Sequence, residues 1–218
     1  MAVLFDLDGT LLGSYRDKNE VRNECVRKYG VQEIDKEKYF DVLNEVLHNS
    51  KVEDREPIFR RFIGDEELSG IVAEEYEERS LENAFVYPDA EEVLSKIKSK
   101  KGIVTNGPRL TQWGKIRKFE LEKYFDSIVV SGEVGKSKPG KEIFQIALRS
   151  LKATTGESLY VGNVPHLDVK GAENVGLVSV LIDRDGNFED SEKVNPKPDY
   201  IIGDLRELYG IVDTEEIS

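Results

Sequence analysis

The sequence predicts an α/β protein: a Rossmann-like, doubly wound parallel sheet with an all-helical module inserted after its first strand. Three observations carry this. Short apolar runs rich in β-branched residues recur along the chain, as in strands buried on both faces. Helical patterns separate them, and such alternation implies parallel pairing. One stretch, roughly residues 16–84, has no strand-like run and is dense in charge.

The first strand is Ala2–Phe5. In the strandless stretch, helices are expected near residues 18–29, 36–47, 55–62 and 67–79. In the second of these, Tyr39, Leu43 and Leu47, with Phe40 and Val46, outline an amphipathic face. A helix over 91–100 puts Val93, Leu94 and Ile97 on one side. The second strand covers 103–104 and the third 128–130. Ile143, Ala147 and Leu151 fall at i, i+4 and i+8, after a Pro139 suited to a first helical turn. A strand at 159–161 leads to a short helix at 168–175 closed by Gly176, then to strands at 178–182 and 200–202. Residues 185–187 form a turn, and the acidic end 213–218 is expected to fray. The domain expectation is a core of residues 1–13 and 87–218 carrying a helical cap of residues 14–86.

At 218 residues, the length allows one large domain or a domain with an accessory one. A 39% apolar fraction supports a sizeable core. The net charge of −12 disfavours a broad footprint on nucleic acid or an anionic membrane. An anionic small substrate stays open, provided the site supplies local cations. The single cysteine, Cys25, permits no intrachain disulfide and fits a reducing cytoplasm. The opening apolar run is too short for a signal peptide, and no stretch approaches the ~18 apolar residues of a membrane span. A cytoplasmic protein is expected, with no nucleic acid or membrane partner. Oligomeric state cannot be read.

The ends of the strands carry the chemistry. Ala2–Phe5 runs into Asp6 and Asp8, 103–104 into Thr105-Asn106-Gly107, 128–130 into Ser131-Gly132, and 159–161 into Gly162-Asn163. In a parallel sheet these are carboxyl ends on one edge, where ligands bind. If the first strand extends far enough, Asp6 and Asp8, two residues apart, face the same way. Adjacent carboxylates repel, so one is protonated or a cation sits between them. Mg²⁺ suits hard oxygen ligands and keeps waters for a substrate phosphate. An aspartate can attack phosphorus covalently, and Gly9-Thr10 allows close approach of backbone amides to an anion. Lys138, in Gly135-Lys136-Ser137-Lys138-Pro139, supplies a cation, although Lys136 is close by. Thr105 offers a hydroxyl, and Asn106 and Gly107 offer amides.

These residues resemble the haloacid dehalogenase-like hydrolase superfamily, in its phosphatase branch with a helical cap of the first type. Phe5-Asp6-Leu7-Asp8-Gly9-Thr10 matches the first motif and 103–107 the second. Gly135 to Pro139 matches the third, and Gly162-Asn163 through Asp168 the fourth. The match covers nearly the whole chain in the right order. It implies a phosphatase acting on a small phosphorylated metabolite. Asp6 would be the nucleophile that forms an aspartyl phosphate, and Asp8 the acid and then the base. Thr105, Asn106 and Lys138 would bind phosphate. The Asp6 side chain, the Asp8 carbonyl, Asn163 and Asp168 would hold Mg²⁺. The second aspartate argues against dehalogenation.

Asn163 departs from the pattern, which usually places an acid there, so weaker metal binding or reliance on Asp168 is expected. Two alternatives stay open on the same scaffold: a sugar-phosphate mutase, and a non-catalytic binding protein with a weakened metal site. Cys25, His48, His166 and Trp113 are expected to serve packing or solvated positions. Arg60 and Arg61 are read as a solvated helix face.

Overall fold

The computed structural model describes residues 1–188 and 194–212; the acidic end expected to fray lies outside them. Six strands form one parallel sheet: β1 (Ala2–Phe5), β4 (Lys100–Thr105), β5 (Ser127–Val130), β6 (Ser158–Gly162), β7 (Val178–Ile182) and β8 (Tyr200–Ile202). Their order is β5-β4-β1-β6-β7-β8. The chain thus departs from β1 to both sides, and this switch opens a crevice at the carboxyl edge. Phe5 lies beside Ile103 and Val161, so Asp6, Thr105 and the residues after Gly162 emerge at nearly one level.

Alternation along the strands explains the layers. Val3, Phe5, Ile103, Leu159 and Val161 face one side, packed on Ala90, Val93 and Leu94 of α5 (Pro88–Lys96), on Ile97 just after it, and on Ile116 of α6 (Arg109–Lys118). Ala2, Leu4, Val104 and Tyr160 face the other, against Ile143, Phe144, Ala147 and Leu151 of α8 (Lys141–Leu151), which follows the short α7 (Ser131–Val134), and Ala172 of α9 (Lys170–Val175). Both faces are covered, so the strands read as continuous apolar runs.

Between β2 (Leu12–Ser14) and β3 (Ala84–Val86) lie four helices: α1 (Lys18–Lys28), α2 (Lys36–Leu47), α3 (Glu56–Ile63) and α4 (Glu66–Glu82). Asp17, Asp35 and Asp65 cap the first, second and fourth by accepting from backbone amides. Gly64, at φ 81°, closes α3. The helices share a separate core around Val26, Ile58, Phe59, Val72 and Tyr76. Each fully buried side chain of this kind contributes roughly 1.5–3 kcal/mol. The chain between α2 and α3 docks onto the sheet side through backbone: Val52 N–H donates to the Gly132 carbonyl, and Arg109 N–H to the Val52 carbonyl, both at 2.8 Å. A Cβ at Gly132 would lie 2.4 Å from the Val52 oxygen, so glycine is required there.

Some expectations need correction. The helix expected over 91–100 runs Pro88–Lys96, because Lys100 already belongs to β4. Pro139 stands outside α8, whose N-cap is Gly140. The antiparallel pair β2–β3, which carries the chain to the helices and back, was not expected. Among the described residues, no helix is long and apolar enough to cross a membrane.

Candidate active site

The strand β1 ends at Phe5, so the same-face argument for Asp6 and Asp8 fails. Asp6 keeps one sheet bond, from its N–H to the Val161 carbonyl at 2.8 Å. The chain then turns, with Gly9 N–H on the Leu12 carbonyl at 2.7 Å. Both aspartates still line one cavity of about 570 Å³, and each meets its own set of cations.

Asp6 is 6% exposed, and its Oδ1 accepts from Lys138 Nζ at 2.7 Å. The same ammonium donates to Asp168 Oδ1 at 2.7 Å and to the Tyr160 hydroxyl at 2.8 Å. All three donors of the lysine are thereby used. Lys138 is held from behind by Asn106: the Lys138 N–H donates to Asn106 Oδ1 at 2.9 Å, and Asn106 Nδ2 donates to the Lys138 carbonyl at 3.0 Å. Lys136, in contrast, turns away to Asn49. Burial raises the Asp6 carboxyl from 3.8 to about 6, against the pull of Lys138 and with help from Asp168 and Asp8. Burial opposes the Lys138 charge, yet Asp168 and Asp6 hold it above its ordinary range.

Asp8 meets the opposite field. Lys115 Nζ donates to its two oxygens at 2.9 and 2.7 Å, and Lys18 Nζ donates to Oδ1 at 2.9 Å. Burial works against the carboxylate, but Lys115 and Lys18 hold it well below the usual range. Burial also brings Lys115 down to about 8, with Asp8 opposing. Gln112 joins this group to the Thr105 hydroxyl. Its Nε2 donates to Thr105 Oγ1 at 2.7 Å and to Asp8 Oδ2 at 3.0 Å, and its Oε1 accepts from Lys115 at 3.0 Å.

Asn163 follows β6 directly. Its Oδ1 is buried and has no hydrogen-bond partner among the described residues. The side chain lies against Gly9, where an added Cβ would sit 2.3 Å from Asn163 Nδ2; the φ of +86° there also favours glycine. Asp168 sits in a single wide π-turn, Pro165–Val169, ahead of α9. Its Oδ2 accepts from Val164 N–H at 2.8 Å, and its Oδ1 from Lys138 and from the Tyr160 hydroxyl at 3.1 Å. Both oxygens of Asp168 are therefore occupied by protein donors.

A divalent ion can be tested against this donor set. Among the described residues, no three acids, histidines or cysteines gather into a metal cage. Mg²⁺ needs less: it is held by one or two carboxylates, keeps its waters and takes substrate oxygens. The partnerless Asn163 Oδ1, in the same cavity as the Asp6 carboxylate, is a hard-oxygen pair of that kind. The residues fit the ion.

Of the residues expected from sequence, Asp6, Asp8, Thr105, Asn106, Lys138, Asn163 and Asp168 all line the cavity. Gly107 does not offer its amide, which donates to Ser131 Oγ at 2.9 Å. Lys18, Gln112, Lys115 and Tyr160 were not singled out. The signal for two of them was present: Gln112 and Lys115 are three apart on α6 and so share a face. His48 and His166 are exposed, and Trp113 donates to Glu133 at 2.9 Å. Arg60 pairs with Glu56 and Glu66, and Arg61 with Glu45.

Comparison with known proteins places this geometry. Residues 3–182 match the family model for haloacid dehalogenase-like hydrolases. The glyceraldehyde 3-phosphate phosphatase of Methanopyrus kandleri is 31% identical over 225 residues, covering 97% of this chain and 96% of that protein. The phosphoserine phosphatase of Thermus thermophilus is 35% identical over 127 residues, covering 57% and 50%. Among solved structures, a phosphatase of the same superfamily from Thermococcus onnurineus matches at a TM-score of 0.73. It is 29% identical, with 99% of each chain covered. The chain belongs to the haloacid dehalogenase-like hydrolase family.

Proposed function

We propose that this member of the haloacid dehalogenase-like hydrolases is a Mg²⁺-dependent phosphatase working through a phosphorylated Asp6. It is a phosphoric monoester hydrolase, and its relatives act on small phosphorylated metabolites. The observation that carries the mechanism is the separation of the two aspartates. Asp6 shares one lysine with Asp168, while Asp8 has two lysines to itself.

Asp6 Oδ attacks phosphorus, the bond to the ester oxygen breaks, and an acyl phosphate forms on Asp6. Thr105 Oγ1 would donate to a transferring oxygen, and Lys138, whose three donors are taken in the free protein, would neutralise charge at the Asp6 carboxylate as the acyl phosphate forms. Asp8 gives its proton to the leaving oxygen. In the free protein Asp8 is ionised by Lys115 and Lys18, and the negative charge of an entering phosphate favours its protonation. Once the alcohol leaves, the Asp8 carboxylate takes a proton from water, which attacks the acyl phosphate and restores Asp6. When bound, Mg²⁺ would supply a Lewis acid that neutralises phosphoryl charge. Asp6, Asn163 Oδ1 and the Asp8 carbonyl would hold it, while Asp168 orients Lys138.

Residues 14–86 act as a cap, and the Lys18–Asp8 contact ties the first turn of α1 to the catalytic loop. Closure of the cap would exclude bulk water while Asp6 attacks phosphorus, leaving room for the one water that Asp8 activates afterwards. The test is phosphate release from an aryl phosphate with Mg²⁺ present, and its loss in Asp6→Asn by at least about 10³-fold, the scale of removing a covalent nucleophile. Full activity in Asp6→Asn, or none in the parent across a broad ester panel, would sink the reading. Isomer formation in place of inorganic phosphate would make the protein a mutase.

A further inference from the structure

The roof of the cavity contains charge that the proposed chemistry does not use. Arg22 on α1 and Arg55 just before α3 both line it, and they are only 2% and 8% exposed. The Arg22 guanidinium lies 4.2 Å from the Tyr39 ring centre, and Arg55 lies 5.1 Å from that of Tyr76. Arg22 Nη2 donates to the Ile34 carbonyl at 2.8 Å and to Asn19 Oδ1, and Arg55 Nη1 donates to the Tyr39 hydroxyl at 2.6 Å. These bonds fix the orientation of the two planes. They leave the Nε of both arginines buried without an acceptor among the described residues.

Neither guanidinium forms an ion pair with a carboxylate among the described residues, although every other arginine of the cap does. Burial lowers the Arg22 guanidinium from its ordinary range, with Arg55 adding to that against Tyr76 and Tyr39, while Tyr39, Tyr76 and Glu77 hold Arg55 above its own against burial. Two like charges, buried together and unpaired, are unfavourable unless an anion joins them. Arginine also suits this task, since its planar fork matches the oxygens of a carboxylate or phosphate. The floor of the cavity, around Lys138 and Thr105, already provides for the transferred phosphoryl group.

We propose that Arg22 and Arg55 form a second anion subsite, and that the substrate is a small phosphate monoester carrying another carboxylate or phosphate on its leaving group. This rests on the phosphatase reading above. The cap then selects substrates by charge at the end remote from the chemistry, and the stacked tyrosines keep the guanidiniums aimed into the cavity.

Two matched pairs test it. Glycerol 3-phosphate and 3-phosphoglycerate differ by a carboxylate; fructose 6-phosphate and fructose 1,6-bisphosphate differ by a phosphate. The expected result is a preference of about tenfold or more in kcat/KM for the doubly anionic member of at least one pair. Which pair responds tells carboxylate from phosphate. A pair that is not turned over is compared through its inhibition constants against aryl phosphate hydrolysis. In Arg22→Met and Arg55→Met the preference should collapse toward one, mainly through KM. Equal treatment of both members in both pairs overturns the subsite, and so does a preference that survives both substitutions. If the variants do not fold, the parent's discrimination still decides. Failure to hydrolyse aryl phosphate at all would strike the phosphatase reading instead.

Discussion

The floor and the roof of one cavity are built on opposite rules. On the floor nearly every charge is matched: Lys138 between Asp6 and Asp168, Lys115 and Lys18 on Asp8. On the roof, Arg22 and Arg55 are stacked and oriented, and among the described residues neither forms an ion pair with a carboxylate. A matched set holds reacting groups in place before substrate arrives, which is what positioning requires. In the proposed subsite, the unmatched set is balanced only by an anionic substrate. A shared family chemistry can therefore sit on the floor while the roof sets specificity.

The floor's pairing is broken most severely at Lys138. Lys138→Met leaves Asp6 and Asp168 facing each other in a buried site. Removing one partner of a buried pair costs about 3–5 kcal/mol, to be read by urea unfolding at pH 7, with activity lost as well. The cost depends on pH with a definite sign. Asp6 is already raised from 3.8 to about 6, so between those values the folded state holds a proton that the unfolded state has released. Stability from this group falls as pH rises through that window. Without Lys138 the window extends upward, so the variant's deficit should shrink as pH is lowered toward 4. A deficit independent of pH would mean that the carboxylates are not the strained groups.

A smaller effect is expected at Lys115. Lys115→Met removes one of the two cations that keep Asp8 ionised. The Asp8 carboxyl should rise toward the ordinary range, moving the acid limb of the pH–rate profile to higher pH. A kcat loss of roughly 10–100-fold is expected at neutral pH, on the scale of impaired acid–base catalysis. An unshifted limb with lower kcat would indicate a steric role instead.

The two regions also differed in how far they could be read from sequence. Asp6, Thr105 and Asn163 follow short apolar runs, and the rule that strand ends gather on one edge is enough to bring them together; Lys138 was read from the segment Gly135 to Pro139 between the third strand and the next helix. The six sheet strands were visible for the same reason. The β2–β3 pair was not: each strand has three residues, one contains Gly13, and its partner Phe85 packs directly over that glycine. Gln112 and Lys115 looked like any polar helix face, because nothing local says that Asp8 lies opposite. Arg22 and Arg55 were harder still. Arg60 and Arg61 are near neighbours of identical type and sit in exposed pairs with glutamates. Only the packing of Tyr39 and Tyr76 distinguishes the buried arginines from the solvated ones, and that depends on four helices at once.

The floor has its own exception in Asn163, whose Oδ1 is buried and partnerless like the arginine Nε atoms above it. It is the mirror image of the roof: an acceptor awaiting a cation, against donors awaiting an anion. Asn163→Asp sharpens the contrast with the smallest change of shape. The new carboxylate would sit in the same cavity as Asp6 and Asp168 and repel them, so the metal-free variant should be less stable than the parent. With Mg²⁺ bound, the added charge should tighten binding by about tenfold, or roughly 1.4 kcal/mol. The difference in Tm between metal-free and Mg²⁺-loaded protein should therefore be larger in the variant than in the parent. This readout needs no turnover, so it isolates the ligand role of the side chain from catalysis. An equal Mg²⁺-induced shift in both proteins would remove residue 163 from the metal's ligands, and the orphaned oxygen would then need another partner.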